Sequence, residues 1–319
     1  MAGGLEKTEW IWRDGTFVRW DDAHIHVLSH VVHYGSSVFE GIRCYDSPEG
    51  TAIFRLEDHM RRFFDSARVY RMPLSYSLDA LCRACDETVH RNKMPSGYIR
   101  PIALRGYGTV GLNPLPAPVE IYVICWPWGA YLGDDGMQNG VDACVSSWQR
   151  MEPNTFPAGA KAGGNYLNAQ LMRMEAVTNG FAEAIALGPG GLISEGSGQN
   201  VFLVRSGTLI TPALDGTLLA GITRDSVLLL ARDIGIPVSE QPVPREMLYT
   251  CDEAFFTGTA AEVTPIRSVD HIPVGSGTVG PITRTLQQRL LGIARGQLAD
   301  PYGWRRIVGR DSPMLITKR

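Results

Sequence analysis

Apolar and polar residues alternate over short stretches at the start of the chain. In EWIWRDGTFVRWDD (9–22) that alternation predicts two strands joined at Asp14-Gly15, a pair suited to a tight hairpin turn. SSVFEGIRCY and GTAIFRL continue as strands. The pattern then changes period. Met60, Phe63, Phe64, Ala67 and Tyr70 fall on one face of a helix capped by Asp58, with Arg62 off that stripe. A second helix is predicted over 78–93, followed by strands in GYIRPIALRGYG and EIYVICWPW.

The segment GAYLGDDGMQNG (129–140) is rich in Gly and Asp and carries no period. It predicts an interdomain loop between a small N-terminal α+β domain (1–128) and a large C-terminal domain (141–319). Beyond it, DACVSSW leads into a Pro/Gly/Ala-rich loop, and a helix is expected over 165–179. AEAIAL, GLISEG and NVFLVRSGTLITP read as strands, and a helix over 223–234 has Thr223 as its N-cap. DEAFFTGTAAEVTPIRSVD reads as strand, loop, strand, and Pro281 opens a last amphipathic helix. Strands and helices are interspersed without regular βαβ alternation, which points to an α+β fold.

Composition narrows the function classes. The 319 residues, 44% hydrophobic and 20% charged, are ordinary for a globular protein. A net charge of -3 and a pI near 6.2 give no sign of a nucleic-acid or membrane partner. The longest clear apolar run, IYVICWPW, falls short of the roughly 18 residues of a membrane span. MAGGLEKTEW carries no apolar signal core, so a cytoplasmic protein is expected. Six scattered cysteines do not form a disulfide scaffold. Cys82 and Cys85 make a CxxC, but they share an apolar helix face with Leu78, Leu81 and Val89, which favours packing over metal or redox chemistry.

Of thirty Lys+Arg residues only Lys7, Lys93, Lys161 and Lys318 are lysines. Three occupy positions suited to a solvated charge. Lys161 sits among small residues in PAGAKAGGNY, where a primary amine could lose its proton and attack a carbonyl, as Arg cannot. Two candidate anion sites accompany it. One is the Gly-Ile-Thr turn into the helix of LLAGITRDSVLLL, the other the small-residue turn of AFFTGTAAEVTP. Taken alone, the first is more commonly simple capping, and most turns like the second are just turns. Glu195 in LISEGSGQN is either a solvated loop carboxylate or the partner of a protonated ring nitrogen. Arg100, in an apolar strand beside Tyr98, either pairs with an acidic side chain or receives an anionic substrate group. The chain has no GxxxxGK[ST], and Gly196-Ser-Gly198 lacks the third glycine of GxGxxG, which argues against ATP or NAD.

These pieces occur within longer motifs: HYGSSVFEGIRCY (33–45), HMRRFFDSA (59–67), YIRP (98–101), WGAYLG (128–133), AKAGGNYL (160–167), ISEGSGQNVF (193–202), LAGITRD (219–225) and FTGTAAEVTPI (256–266). In them the chain, from about Trp10 to Trp304, resembles the branched-chain amino-acid aminotransferases of the fold-type IV pyridoxal-phosphate (PLP) enzymes.

The resemblance implies PLP as cofactor, joined to Lys161 as a Schiff base, with Lys161 also shuttling the substrate proton. It implies that Glu195 pairs with the pyridinium nitrogen and Tyr166 with the phenolic oxygen, and that Arg62, Leu219, Ile222, Thr223 and Thr259 hold the rest of the cofactor, chiefly its phosphate. Tyr98 and the backbone of Thr259-Ala260 would receive the substrate α-carboxylate, Ala260 would also line the side-chain pocket, and Gly41 would belong to the substrate site. Arg100 would take the side-chain carboxylate of glutamate, and Tyr34, Phe39, Leu112 and Tyr131 would line the side-chain pocket, some from a neighbouring subunit. The implied reaction exchanges amino groups between branched-chain L-amino acids and 2-oxoglutarate in a homo-oligomer, a dimer or trimer of dimers. Trp126 stands where a smaller aromatic is more usual, and the tail after Trp304 is not clearly of the family. The rival readings are a D-amino-acid or (R)-amine transaminase, an aminodeoxychorismate lyase, and a catalytically silent binding protein.

Overall fold

A computed structural model describes residues 5–309 of the chain. Lys318 and the first four residues of the N-terminal stretch lie outside the described residues. The chain divides into two compact units. Among the described residues the first contains 5–129, the short segment Ala160–Gly164 and 293–309; the second contains Ala130–Gly159 and Asn165–Gly292. Lys161 therefore belongs with the first unit, whereas the division expected from the sequence counted it with 141–319.

In the first unit, β1 (Trp10–Arg13) and β2 (Thr16–Arg19) form the expected hairpin. Asp14 and Gly15 both have positive φ, 44° and 94°, as a two-residue hairpin turn requires. A short helix, α1 (His30–Tyr34), precedes β3 (Ser37–Phe39), β4 (Ile42–Tyr45) and β5 (Ala52–Phe54). SSVFEGIRCY is thus two strands broken at Glu40-Gly41. The helices α2 (Leu56–Val69) and α3 (Leu78–Arg91) follow, then β6 (Gly97–Arg105) and β7 (Val119–Trp126). Asp58 is not the cap of α2. Arg55 holds that place in a left-handed conformation, and Asp58 lies in the first turn, where it accepts from Arg55 Nε at 2.7 Å and complements the helix dipole.

The apolar faces of α2 and α3 build one core with one side of this sheet. Leu56, Met60 and Phe63, and Leu81, Cys82 and Cys85, pack on Ile42, Ile99, Ala103, Ile121 and Val123. Both CxxC thiols are buried, and burial pushes Cys82 up to about 12 and Cys85 well above the ordinary thiol value, which keeps them protonated. Among the described residues no three His, Cys, Asp or Glu side chains could hold a metal ion. No described helix is long and apolar enough to cross a membrane.

In the second unit, 129–140 is not a plain loop: Gly133–Asn139 forms the short helix α4. Then come β8 (Val141–Val145), α5 (Tyr166–Thr178), β9 (Glu183–Leu187), β10 (Ile193–Gly196), β11 (Asn200–Arg205), β12 (Thr208–Pro212), α6 (Ile222–Asp233), β13 (Val238–Gln241), β14 (Glu253–Gly258), β15 (Glu262–Val269), β16 (Ile272–Pro273) and α7 (Pro281–Ala294). The main sheet runs β10-β9-β8-β15-β14-β11-β12-β13 and mixes parallel and antiparallel pairs, so the fold is α+β as read from the sequence. Val201, Leu203, Ile210, Phe256 and Ile266 fill one of its cores. Buried Glu253 accepts from the amides of Ile282 and Thr283, satisfying donors of the first turn of α7. Thr223 is not the N-cap of α6; Gly221 is, with an extended backbone, and Thr223 lies in the first turn.

Back in the first unit, the last described strand, β17 (Arg305–Ile307), pairs with β5. That sheet then runs β17-β5-β4-β6-β7-β1-β2, with β3 against β6.

Candidate active site

Lys161 is fixed by its backbone. Its amide donates to Ser66 Oγ at 2.9 Å, and its carbonyl accepts from the Phe39 amide at 3.0 Å. Ala162 adds a bridge to Val38. The small residues of AKAGG make this close docking possible: a Cβ on Gly163 would collide with Ser37. The Lys161 Nζ stands 5.2 Å from the centroid of the Phe39 ring. Lys7, by contrast, pairs with Asp21 on an exposed surface, and Lys93 is exposed beyond the end of α3.

One turn before Ser66 on α2 lies Arg62, its side chain only 12% exposed. Its Nε and Nη2 donate to Glu40 Oε1 and Oε2 at 2.7 and 2.8 Å, a two-pronged pair. Glu40 is fully buried and also takes His59 Nδ1 at 2.7 Å. His59 and Arg62 are three residues apart, so they share a face of α2. Burial alone would raise Glu40, but Arg62 and His59 outweigh it and hold the carboxyl far below its ordinary 4.5. Burial pushes His59 below its ordinary 6.5, only partly opposed by Glu40, so the ring is neutral and Nδ1–H donates to the carboxylate. The sequence pattern alone assigns no role to Glu40 or His59. The available signal is a carboxylate interrupting an apolar strand, with His-x-x-Arg on the next helix.

The pairing of β6 with β7 sorts their side chains onto two faces. Ile99, Ala103, Ile121, Val123 and Cys125 enter the helix-covered core, while Tyr98, Arg100 and Ile102 share the opposite face with Trp126, Ile124 and Tyr122. Phe39 pairs with Ile102 and joins that second face. There the Arg100 Cζ lies 4.5, 5.3 and 5.7 Å from the ring centroids of Phe39, Tyr98 and Trp126. Its one side-chain hydrogen bond is a long one, Nη2 to the Tyr98 hydroxyl at 3.5 Å. Among the described residues Arg100 has no carboxylate partner, and both its Nε and the Trp126 Nε1 are buried without an acceptor. Gly41 is required by Tyr98: a Cβ there would overlap the Tyr98 hydroxyl.

Within the second unit, Glu195 is a buried carboxylate and not a solvated loop residue. Oε1 pairs with Arg150 Nη2 at 2.8 Å, and Oε2 accepts from Asn200 Nδ2 and the Leu219 amide, both at 3.2 Å. Asn200 Nδ2 also reaches the Leu219 carbonyl at 2.9 Å, and its Oδ1 occupies the space a Cβ on Gly221 would need. Glu195 and the start of α6, with Ile222 and Thr223, are thereby bound into one structure. Arg150 and Asn200 escape sequence reasoning, and nothing local in the sequence marks Arg150. Tyr166 is the half-buried first residue of α5. Thr259 and Ala260 form the half-buried turn between β14 and β15. The Tyr131 ring lies 5.9 Å from the Arg173 guanidinium, which pairs with buried Glu183 at 3.2 Å.

Two expected pocket residues are exposed: Tyr34, at the end of α1, by 42% and Leu112 by 88%. Leu112 is held in place by its neighbours. His30 Nε2 contacts the Gly111 carbonyl at 2.9 Å, and buried Arg105 donates to the Pro114 carbonyl at 2.6 Å.

The chain matches the family model of class IV aminotransferases over residues 37–269, and it belongs to that family. It is 50% identical over 300 residues to the branched-chain-amino-acid aminotransferase of Salmonella typhimurium, covering 94% of this chain and 97% of that one. Its structure is similar to the crystal structure of the Escherichia coli branched-chain amino acid aminotransferase, with a TM-score of 0.93 and 49% identity, over 95% of this chain and 100% of that one. A similar likeness, TM-score 0.88 and 35% identity over 95% and 99%, holds for the branched-chain amino acid aminotransferase of Thermobaculum terrenum in its PLP-bound form.

The Glu40–His59 pair predicts acid sensitivity. Both groups are depressed in the fold, so the unfolded chain takes up protons first, below 6.5 for histidine and below 4.5 for glutamate. Stability is therefore full at neutral pH and falls on acidification. His59→Asn should flatten the fall between about pH 6.5 and 5 and keep the steeper loss below it. Urea midpoints measured across this range would show it; a wild-type profile flat down to about pH 4 would refute the assignment.

Proposed function

We propose that this protein transfers amino groups between the branched-chain L-amino acids leucine, isoleucine and valine and 2-oxoglutarate, yielding the branched-chain 2-oxo acids and L-glutamate with PLP as cofactor. The observation that carries the reading is Arg100. It is a guanidinium set on an apolar, aromatic face with Phe39 and Trp126 and has no acidic partner among the described residues. Such a face accepts an aliphatic side chain, and its edge accepts a carboxylate. A two-substrate exchange of leucine-like and glutamate-like side chains needs both.

The donor set fits PLP. In the first unit, the Lys161 amine and the Arg62 guanidinium are one helix turn apart in their anchoring on α2. In the second, the Glu195 carboxylate is tied through Leu219 to the N-terminal turn of α6, a carboxylate for a ring nitrogen beside a helix end for a phosphate. When bound, PLP supplies an aldehyde carbon and a protonated ring that takes up the electron pair released at the substrate Cα.

Lys161 Nζ would hold the cofactor, and the same amine would move the proton at the substrate Cα. Glu195, held by Arg150, Asn200 and the Leu219 amide, would hold the proton on the ring nitrogen. Tyr166 would orient the ring through its phenolic oxygen. Arg62, Ile222, Thr223 and Thr259 would hold the phosphate, and Tyr98 with the Thr259-Ala260 backbone would receive the α-carboxylate.

The same reading makes the protein a homo-oligomer. Val27, Val32, Tyr107, Val110, Leu112 and Leu115 of the first unit are all more than half exposed. His30 joins their two segments, its amide donating to the Gly106 carbonyl at 3.1 Å. An apolar face of this kind favours burial against a second copy, to which Tyr34 and Leu112 would lend their side chains.

Three outcomes are expected. Lys161→Ala should abolish the visible absorbance of lysine-bound cofactor and steady-state transamination; substantial turnover surviving the change would sink the assignment. Arg100→Ala should reduce kcat/KM for glutamate by about tenfold or more while leucine changes much less, since a charge-assisted bond is worth about 1.5–3 kcal/mol. Equal losses for both donors would make Arg100 structural. Val32→Glu with Leu112→Glu should shift the sedimentation of the protein towards the monomer, and an unchanged oligomer would place the contact elsewhere.

A further inference from the structure

Among the described residues of the first unit, Glu40 is the one fully buried carboxylate that the proposed chemistry leaves without a task. It lies between β3 and β4, next to Phe39, whose amide holds the Lys161 carbonyl, and next to Gly41, which makes room for Tyr98. Its own amide donates to the Pro101 carbonyl at 2.9 Å, so its backbone is fixed to the central strand β6. From that rigid base both carboxylate oxygens reach Arg62, and one of them also reaches His59.

A buried pair of this kind is a poor stabiliser. Two ions leave water, and their attraction does little more than balance that cost. What the arrangement does supply is orientation. A free arginine side chain carries about 2 kcal/mol of rotamer entropy, and a group that must meet a ligand loses that freedom on binding unless it has lost it already. Gripped at Nε and Nη2 in the plane of its guanidinium, Arg62 can neither swing nor rotate. His59 holds the carboxylate in turn, and Ser66, one turn further along α2, accepts from the Lys161 amide. One helix face therefore sets the amine segment and the guanidinium together.

We infer that Glu40 is a positioning residue for the cofactor phosphate, holding Arg62 in the conformation that binds it. The inference rests on the reading above that Arg62 binds the phosphate of PLP. A competing effect has the opposite sign: Glu40 also offsets the positive charge of Arg62, and if charge dominated, its removal would tighten phosphate binding. Loss of pre-organisation outweighs this if most of the arginine's rotamer freedom returns, since about 2 kcal/mol corresponds to roughly thirtyfold.

The test compares PLP with pyridoxal, which has the same ring and aldehyde and no phosphate. Full-chain protein freed of cofactor is titrated with each, and the fraction joined to lysine is read from its visible absorbance. Glu40→Gln should weaken PLP by about tenfold or more and change pyridoxal by less than about twofold. In the Arg62→Ala background, Glu40→Gln should add no further loss for PLP. Equal weakening of both ligands would show that Glu40 only supports the fold, and unchanged or tighter PLP binding would show that it acts on Arg62 by charge alone; either overturns the inference. If Glu40→Gln does not fold, Glu40→Asp keeps the charge, withdraws the carboxylate by one methylene, and has the same opposed outcomes. Wild-type protein that bound neither ligand would sink the cofactor reading itself. Wild type that prefers PLP while the variants keep that preference would sink only the role of Glu40.

Discussion

Two backbone hydrogen bonds hold Lys161, and most of what the molecule can do depends on them. The amide of Lys161 is spent on Ser66 and its carbonyl on Phe39. Neither bond uses the side chain. The segment that carries it is only five residues long, Ala160–Gly164, and four of them are alanine or glycine. Small residues let the strand-like backbone approach α2 and β3 closely enough to be stitched, as the Gly163–Ser37 contact shows. A reactive amine needs a rigid base, and here the main chain supplies it.

The buried charges follow one rule in both units. Glu40 is met by Arg62 and His59, Glu195 by Arg150, and Glu183 by Arg173. Each carboxylate is bound on more than one side, which offsets its removal from water. Arg100 breaks the rule. It is surrounded by ring faces where Arg62, Arg150 and Arg173 meet carboxylates, and its Nε is buried without an acceptor among the described residues.

Much of this was legible in the residues. The Asp14-Gly15 turn, the helical stripes of α2 and α3, the start of α7 at Pro281 and the small-residue setting of Lys161 all follow from local pattern. The misreadings came from tertiary contacts that local pattern does not carry. Thr223 and Asp58 look like caps because their types favour that position, yet Gly221 starts α6 where Asn200 crowds the backbone, and Arg55 starts α2 where its own side chain turns back to Asp58. Glycines and aspartates made 129–140 look structureless, although seven of those residues close a short helix with acids in its first turn. Glu195 was found through its motif, but Arg150, forty-five residues earlier, became visible only with the pairing itself.

The path of the chain has a further consequence. The polypeptide leaves the first unit after Gly129, returns for Ala160–Gly164, departs again, and comes back at Ile293. Neither unit is a continuous stretch, so a single cut yields no complete half. Recombination that exchanged one half of the gene for a foreign segment would separate the amine from the strands and helix that anchor it.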